Sequence, residues 1–184
     1  MAKKKTPSTK WQDMAKSIAS LVEESPLVLS ADELKAIDSA MTSIHLYRCR
    51  IESAQRLSRF KKQHPKYYKM LSGLTGHCIK YIEPELQKSI GEEKYLRAQP
   101  LVYVHQVCLY YDYMDYQVVL KCRVADPRHW EGNEENYSFE LGDLSYGKVR
   151  LQPVPNSDKI AARMAKRFMP LQLVFNLGRA PRED

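Results

Sequence analysis

The sequence lacks most of the features by which enzymes and membrane proteins are recognised. Its 184 residues include seven glycines, and no glycine-rich phosphate loop, HExxH motif or GxSxG motif occurs. No apolar run approaches the roughly 18 residues that a bilayer span needs. We therefore predict a protein that is not an enzyme, needs no cofactor or small-molecule substrate, and has no transmembrane segment.

The spacing of the cysteines excludes the common cysteine motifs. The four cysteines are Cys49, Cys78, Cys108 and Cys122, and no two of them form a CxxC pair, so neither a zinc ribbon nor a thioredoxin motif is present. All four lie in apolar periodic segments, which is typical of buried reduced thiols. His45 and Cys49 could share a metal on one helix, but we predict no metal site. The charged first residues precede no apolar segment, so we expect a cytoplasmic or nuclear protein that is not secreted.

Positive charge is what the sequence has in excess. The chain carries 29 lysines and arginines against 22 acidic residues, a net charge of +7. The excess is concentrated at 1–16 (net +4), at 45–69 (net +7) and at 159–184 (net +4), whereas 126–143 has a net charge of −5. Clustered charge of one sign attracts phosphates or anionic lipid headgroups, although solvated surface charge can also serve solubility alone. Eight bases within the 25 residues of the central segment exceed what solubility needs, so we predict an anionic partner.

Three groups of bases are the predicted contacts, and each acts only through its charge. No base-sequence specificity is therefore expected. The main group is Arg48, Arg56, Arg59, Lys61, Lys62, Lys66 and Lys69. The second group is Lys159, Arg163, Lys166 and Arg167, and a mobile basic arm carries Lys3, Lys4 and Lys5.

Helical patterns dominate the first half of the chain. Residues 11–24 predict a short helix, and Ser30 with Glu33 forms a capping box that opens a helix to about Phe60. The apolar stripe of that helix, which runs from Leu34 through Ile44 to Ile51, is expected to face the core. A third helix is predicted over 66–81, and Pro84 either kinks it or opens a short helix to Ile90.

Alternating patterns follow after residue 99. Strands are predicted over 101–111 and 118–124, joined by a hairpin turn at 112–115, then near 137–141, 149–151 and 171–177. One amphipathic helix, with Ile160, Met164 and Phe168 on its apolar face, precedes the last strand. This order predicts an α+β fold in which three or four N-terminal helices pack on a mostly antiparallel sheet. We expect a disordered basic arm at 1–10, one domain at 11–178 with a helical half (11–91) and a strand-rich half (100–178), and a loose tail at 179–184.

Tyrosine is abundant, with twelve residues against four phenylalanines. Tyr67 and Tyr68 lie between lysines, where they could stack on exposed bases or pack on the edge of the sheet. A second group at 110–116 flanks the hairpin turn and could serve cross-strand packing, self-association or a membrane interface.

These features leave three functional hypotheses. The first is a non-enzymatic binding and assembly protein that engages nucleic acid, nucleoprotein or an anionic membrane surface and could self-associate. Its layout is similar to that of small viral matrix or nucleocapsid-associated structural proteins, although no residue motif carries that similarity. The second is a regulator or adaptor that binds another protein through amphipathic helices. The third is a small nuclease that gathers His105, Asp112, Asp115 and Asp126 in a cleft.

Overall fold

The structure, a computed structural model, describes residues 12–13, 15–17, 19–20, 30–112 and 115–178. The chain divides into two compact units, Met1–Arg48 and Cys49–Asp184. The predicted arm at 1–10 and tail at 179–184 lie outside the described residues, and the single domain over 11–178 stays a prediction. The described residues of the predicted first helix are helical.

Helix α1 spans Ala31–Gln63 and begins where the capping box predicts. The backbone N–H of Ser30 donates to the Glu33 carboxylate at 2.8 Å, and the Glu33 N–H donates to the Ser30 hydroxyl at 3.4 Å. Helix α2, Pro65–Ser72, follows at once, because proline is well tolerated at the first position of a helix. Helices α3 (Pro84–Ile90) and α4 (Glu92–Ala98) complete the helical half, and α4 was not predicted.

Six strands form the sheet. They are β1 (Cys78–Ile82), β2 (Val102–Asp112), β3 (Asp115–Val124), β4 (Glu134–Glu140), β5 (Arg150–Pro153) and β6 (Val174–Phe175). Their order is β4-β3-β2-β1-β5 with antiparallel neighbours, and β6 pairs parallel to β2. Short helix α5 (Leu141–Ser145) follows β4, and α6 (Asp158–Arg167) precedes β6. The α+β fold with a late amphipathic helix before the last strand is thus confirmed.

Both faces of the sheet are covered within the Cys49–Asp184 unit. On one face, Phe60 of α1 and Leu71 of α2 join the main core with Ile79, Val104 and other strand residues. On the other face, Ala161 and Met164 of α6 pack with Cys78 and Tyr103. Successive strand residues point to opposite faces, so Cys78 and Ile79 serve different layers. The sheet therefore fixes where the end of α1 lies.

The predicted helix over 66–81 is wrong in its second half. The chain leaves α2 at Gly73, turns at Gly76 with a φ of +86°, and enters β1 at Cys78. Pairing with β2 decides this outcome, since the Gly76 N–H donates to the Val104 carbonyl at 2.9 Å and the Val104 N–H donates to His77. The helical spacing of Leu71, Leu74 and Cys78 is outweighed by these long-range bonds.

The apolar stripe of α1 is exposed, which contradicts the prediction from the sequence that it faces the core. Its members Leu34, Ile37, Met41, Ile44 and Ile51 are between 37% and 64% exposed. Only Phe60 of α1 is fully buried, with Leu57 packed beside it. Within the part of the chain that the structure describes, no helix has both the length and the apolar composition of a bilayer span.

Candidate functional site

Six of the seven members of the main basic group lie on the C-terminal part of α1 and on α2. Burial of Phe60 and packing of Leu57 fix one face of α1 against the sheet, so its other faces turn outward. The bases on those outer faces are all exposed. They are Arg56, Arg59, Lys61 and Lys62 of α1 and Lys66 and Lys69 of α2. We call these six residues the basic surface. Arg48, the remaining member of the predicted group, belongs to the Met1–Arg48 unit.

The basic surface has no neutralising partner among the described residues. Ion pairs form at Arg97–Glu93, Arg123–Glu134, Arg128–Asp126 and Lys148–Asp143, all outside it. None of its six side chains has a carboxylate oxygen of the described residues within 4.0 Å. Because the charges are of one sign and uncompensated, they produce a positive field over this part of the molecule.

Two arginines of the basic surface line a groove of about 740 Å³. The guanidinium carbon of Arg56 lies 5.7 Å from the ring centroid of Phe175, within the range of a cation–π contact. The groove is built from three distant segments of the chain. Its lining residues are Arg56, Arg59, Gln63, His64, Tyr111, Asp115, Tyr116 and Phe175.

Tyr116, one of the residues that line the groove, contacts several other aromatic rings. Its ring meets those of Phe60, Tyr111 and His64 edge-on, with centroids 4.8, 5.2 and 5.3 Å away. Its hydroxyl donates to the Gln63 side-chain oxygen at 3.1 Å. Burial raises the pKa of Tyr116, so the phenol stays neutral and keeps its role as a donor. The lining of the groove therefore combines two cations with aromatic rings.

Asp115 is an acidic residue of the groove, and both of its carboxylate oxygens accept hydrogen bonds. One oxygen accepts the N–H of Tyr116 at 2.6 Å, and the other accepts the N–H of Gly142 at 3.1 Å. These bonds fix the start of β3 against the start of α5. The side chain thus has a structural role, and part of its negative charge is compensated by backbone dipoles.

The other residues of the nuclease hypothesis are not brought to one cleft. Asp112 pairs with Asp115 at one end of the β2–β3 hairpin, whereas Asp126 follows β3 beyond Val124 at the other end. Ten strand residues separate the two ends by about 30 Å. His105 lies within β2 at the register shift between Val104 and Gln106. No group of three or more potential metal ligands occurs among the described residues.

Asp126 instead anchors its own loop. Its carboxylate accepts hydrogen bonds from Arg128 and lies 3.3 Å from His129. The Arg128 hydrogen bonds hold the pKa of Asp126 far below its ordinary value. A lowered pKa in the folded state means that the carboxylate stabilises the fold when the pH exceeds the ordinary carboxyl pKa. That stabilisation is lost as the pH falls through the acid range, from about pH 5 downward.

An Asp126→Asn variant is therefore expected to be less stable than the parent at pH 7, by about 1–3 kcal/mol. The difference should shrink steadily between about pH 5 and pH 2, because the parent carboxylate becomes protonated and loses the same interaction. Thermal unfolding followed by circular dichroism across this pH range measures both effects. A stability difference between parent and variant that stays constant with pH would contradict the stabilising role of the ionised Asp126 carboxylate.

The second basic group is partly neutralised. Lys159, Arg163, Lys166 and Arg167 are exposed on α6, as predicted. However, Glu131 lies 2.8 Å from the Arg163 guanidinium and 3.8 Å from that of Arg167. These two ion pairs weaken the local positive field, so we rank this group below the basic surface.

Tyr67 and Tyr68 are half-buried and pack against the main core. The Tyr67 hydroxyl is hydrogen-bonded to the Ser145 hydroxyl, and the Lys61 ammonium lies 5.1 Å from the Tyr68 ring centroid. These contacts favour the structural interpretation of the pair, and stacking on a ligand stays a prediction. Lys3, Lys4 and Lys5 lie outside the described residues.

The cysteines are free thiols, three of them buried. Burial raises the pKa of Cys78 to about 11, and it also raises the pKa values of Cys108 and Cys122. Buried thiols of high pKa are poor nucleophiles and poor metal ligands. These three thiols pack as small apolar side chains, as the sequence predicts, whereas Cys49 is only half-buried.

Sequence reasoning missed the groove, although it found the two arginines that line it. The signal that could have pointed to it is the tyrosine group at 110–116, which borders the hairpin turn and supplies Tyr111 and Tyr116. In the comparisons with known proteins, no family model, curated protein or solved structure is significantly similar to this chain. The geometry of its own residues therefore carries the functional argument.

Proposed function

We propose that this protein is a non-enzymatic binding and assembly protein that holds nucleic acid through phosphate contacts on its basic surface. One observation carries the proposal: six exposed bases on α1 and α2 have no carboxylate of the described residues within 4.0 Å. Uncompensated lysines and arginines on adjoining helices match the repeated negative charge of a phosphate backbone. Buried thiols favour a reducing compartment, the cytoplasm or nucleus.

Phosphate contacts of this kind give affinity without reading a base sequence. The second basic group on α6 would add weaker contacts, since Glu131 shares Arg163 and Arg167. A role in assembly, like that of viral matrix or nucleocapsid-associated proteins, is part of the proposal and rests on the layout of the chain alone.

A protein-binding adaptor is the second candidate, and the exposed stripe of α1 favours it. Leu34, Ile37, Met41 and Ile44 recur at intervals of three and four residues and stay exposed. Such a stripe is the face by which an amphipathic helix enters a groove of a partner. A partner bound in this way would stay bound after nuclease treatment.

A salt titration tests the proposal. Purified, nuclease-treated protein is titrated with labelled single-stranded RNA, duplex DNA and vesicles that contain anionic lipid, each over a range of salt concentrations. We expect binding to nucleic acid with log Kd rising linearly with log salt, at about 0.7–0.9 per phosphate contact. Stronger binding to the vesicles would instead indicate a membrane-surface protein, and weak binding to all three would favour the adaptor.

A further inference from the structure

The groove beside the basic surface contains an aromatic ring that the fold leaves open. Tyr111 is 52% exposed, and its ring centroid lies 5.2 Å from that of Tyr116 in an edge-to-face contact. Tyr116 is in turn packed against Phe60 and Phe175. Tyr111 is therefore held from one side by a rigid aromatic cluster, while about half of its surface stays open to a ligand.

The groove also carries positive charge. Arg56 and Arg59 line the same groove as Tyr111, and Arg56 is positioned 5.7 Å from the centroid of Phe175. Neither has a carboxylate of the described residues within 4.0 Å, and the groove's own Asp115 is engaged by two backbone N–H groups. A planar guanidinium with free donors matches the oxygens of a phosphate and can form paired hydrogen bonds with them.

We propose that the groove binds one unpaired nucleotide of a single-stranded nucleic acid. The base stacks on Tyr111, and its phosphate is held by Arg56 and Arg59. This inference rests on the proposed function and deepens it, because it names the single strand as the ligand. A base within a duplex has both faces covered by its neighbours, whereas an unpaired base offers a face to an aromatic side chain.

The lysines beyond the groove favour a nucleic acid over a phosphorylated peptide. Four further bases, Lys61, Lys62, Lys66 and Lys69, continue from the arginines onto α2. A peptide with one phosphate leaves these lysines without a partner, but the next phosphates of a strand would reach them.

The experiment compares three 20-nucleotide ligands with the full chain at one salt concentration: oligo-uridine, a strand of abasic sites with the same phosphates, and a duplex. We expect Tyr111→Ala to weaken oligo-uridine binding by about 5- to 150-fold, the range for loss of one stacked base. Binding to the abasic strand should stay unchanged. Tyr111→Phe keeps the ring and should bind like the parent.

Tyr146→Ala is the matched control, since Tyr146 is 81% exposed and lies outside the groove. It should leave all affinities unchanged. Equal weakening of oligo-uridine and abasic binding by Tyr111→Ala, or none, would overturn the nucleotide site while the proposed function stands. Tighter binding of a singly phosphorylated peptide than of oligo-uridine would also overturn it. A parent that binds no nucleic acid would overturn the proposed function itself.

Discussion

Replacing Arg56, Arg59, Lys61 and Lys62 together with glutamine is expected to weaken binding to single-stranded RNA by about 100- to 1,000-fold at about 0.1 M salt. Each lost phosphate contact removes the release of roughly 0.7 counterion from a single strand, so the slope of log Kd against log salt should fall by about 3. Fluorescence anisotropy of a labelled oligonucleotide, repeated at several salt concentrations, measures both quantities.

Net charge must be separated from the placement of charge in this test. A control variant with Lys88, Lys94, Arg97 and Arg150 replaced by glutamine loses the same four positive charges, and all four side chains are exposed outside the basic surface. We expect it to keep most of the affinity and nearly the full salt slope, because distant exposed charges are screened within about 10 Å at this salt concentration. Equal losses in the two variants would mean that overall charge, and not the basic surface, drives binding.

The sequence was sufficient for elements whose signals are local. The capping box at Ser30 and Glu33 predicts the start of α1, and the alternation around the 112–115 turn predicts the β2–β3 hairpin. The bases of α1 were also visible as a charge cluster. Each of these features depends on residues that are close in the chain, so a pattern within a short window can reveal it.

The features that the sequence did not reveal depend on long-range pairing. Residues 78–82 have the spacing of a helix, yet β2 and β5 supply ladder partners on both sides and make them strand β1. The groove needs Phe175 beside Arg56, and that contact exists because β6 pairs with β2 at Cys108 and Leu109. Neither segment alone contains a pattern that predicts this pairing. The sequence could therefore locate the basic residues but not the aromatic rings that line the groove with them.

Phe60→Ala is expected to lower the free energy of unfolding by about 3–5 kcal/mol. The Phe60 side chain is fully buried, and its ring lies 4.8 Å from Tyr116 and 5.3 Å from His64. Its loss would leave a cavity in a close-packed core and remove the one fully buried contact that α1 makes with the sheet. Urea unfolding of the variant and the parent measures the difference.

Met41→Ala is the matched control on the same helix, since Met41 lies in the exposed stripe and should cost no more than about 0.5 kcal/mol. Phe60→Leu refills much of the space and should cost clearly less than Phe60→Ala. If the leucine and alanine variants lose the same free energy of unfolding, the Phe60 ring does not stabilise the protein by filling the core. Contacts other than this packing would then hold helix α1 against the sheet. If Phe60→Ala loses far more stability than Phe60→Leu, the packing of this ring in the core holds the last turns of α1 in place. Those turns carry Arg59, Lys61 and Lys62, which make phosphate contacts in the function that we propose.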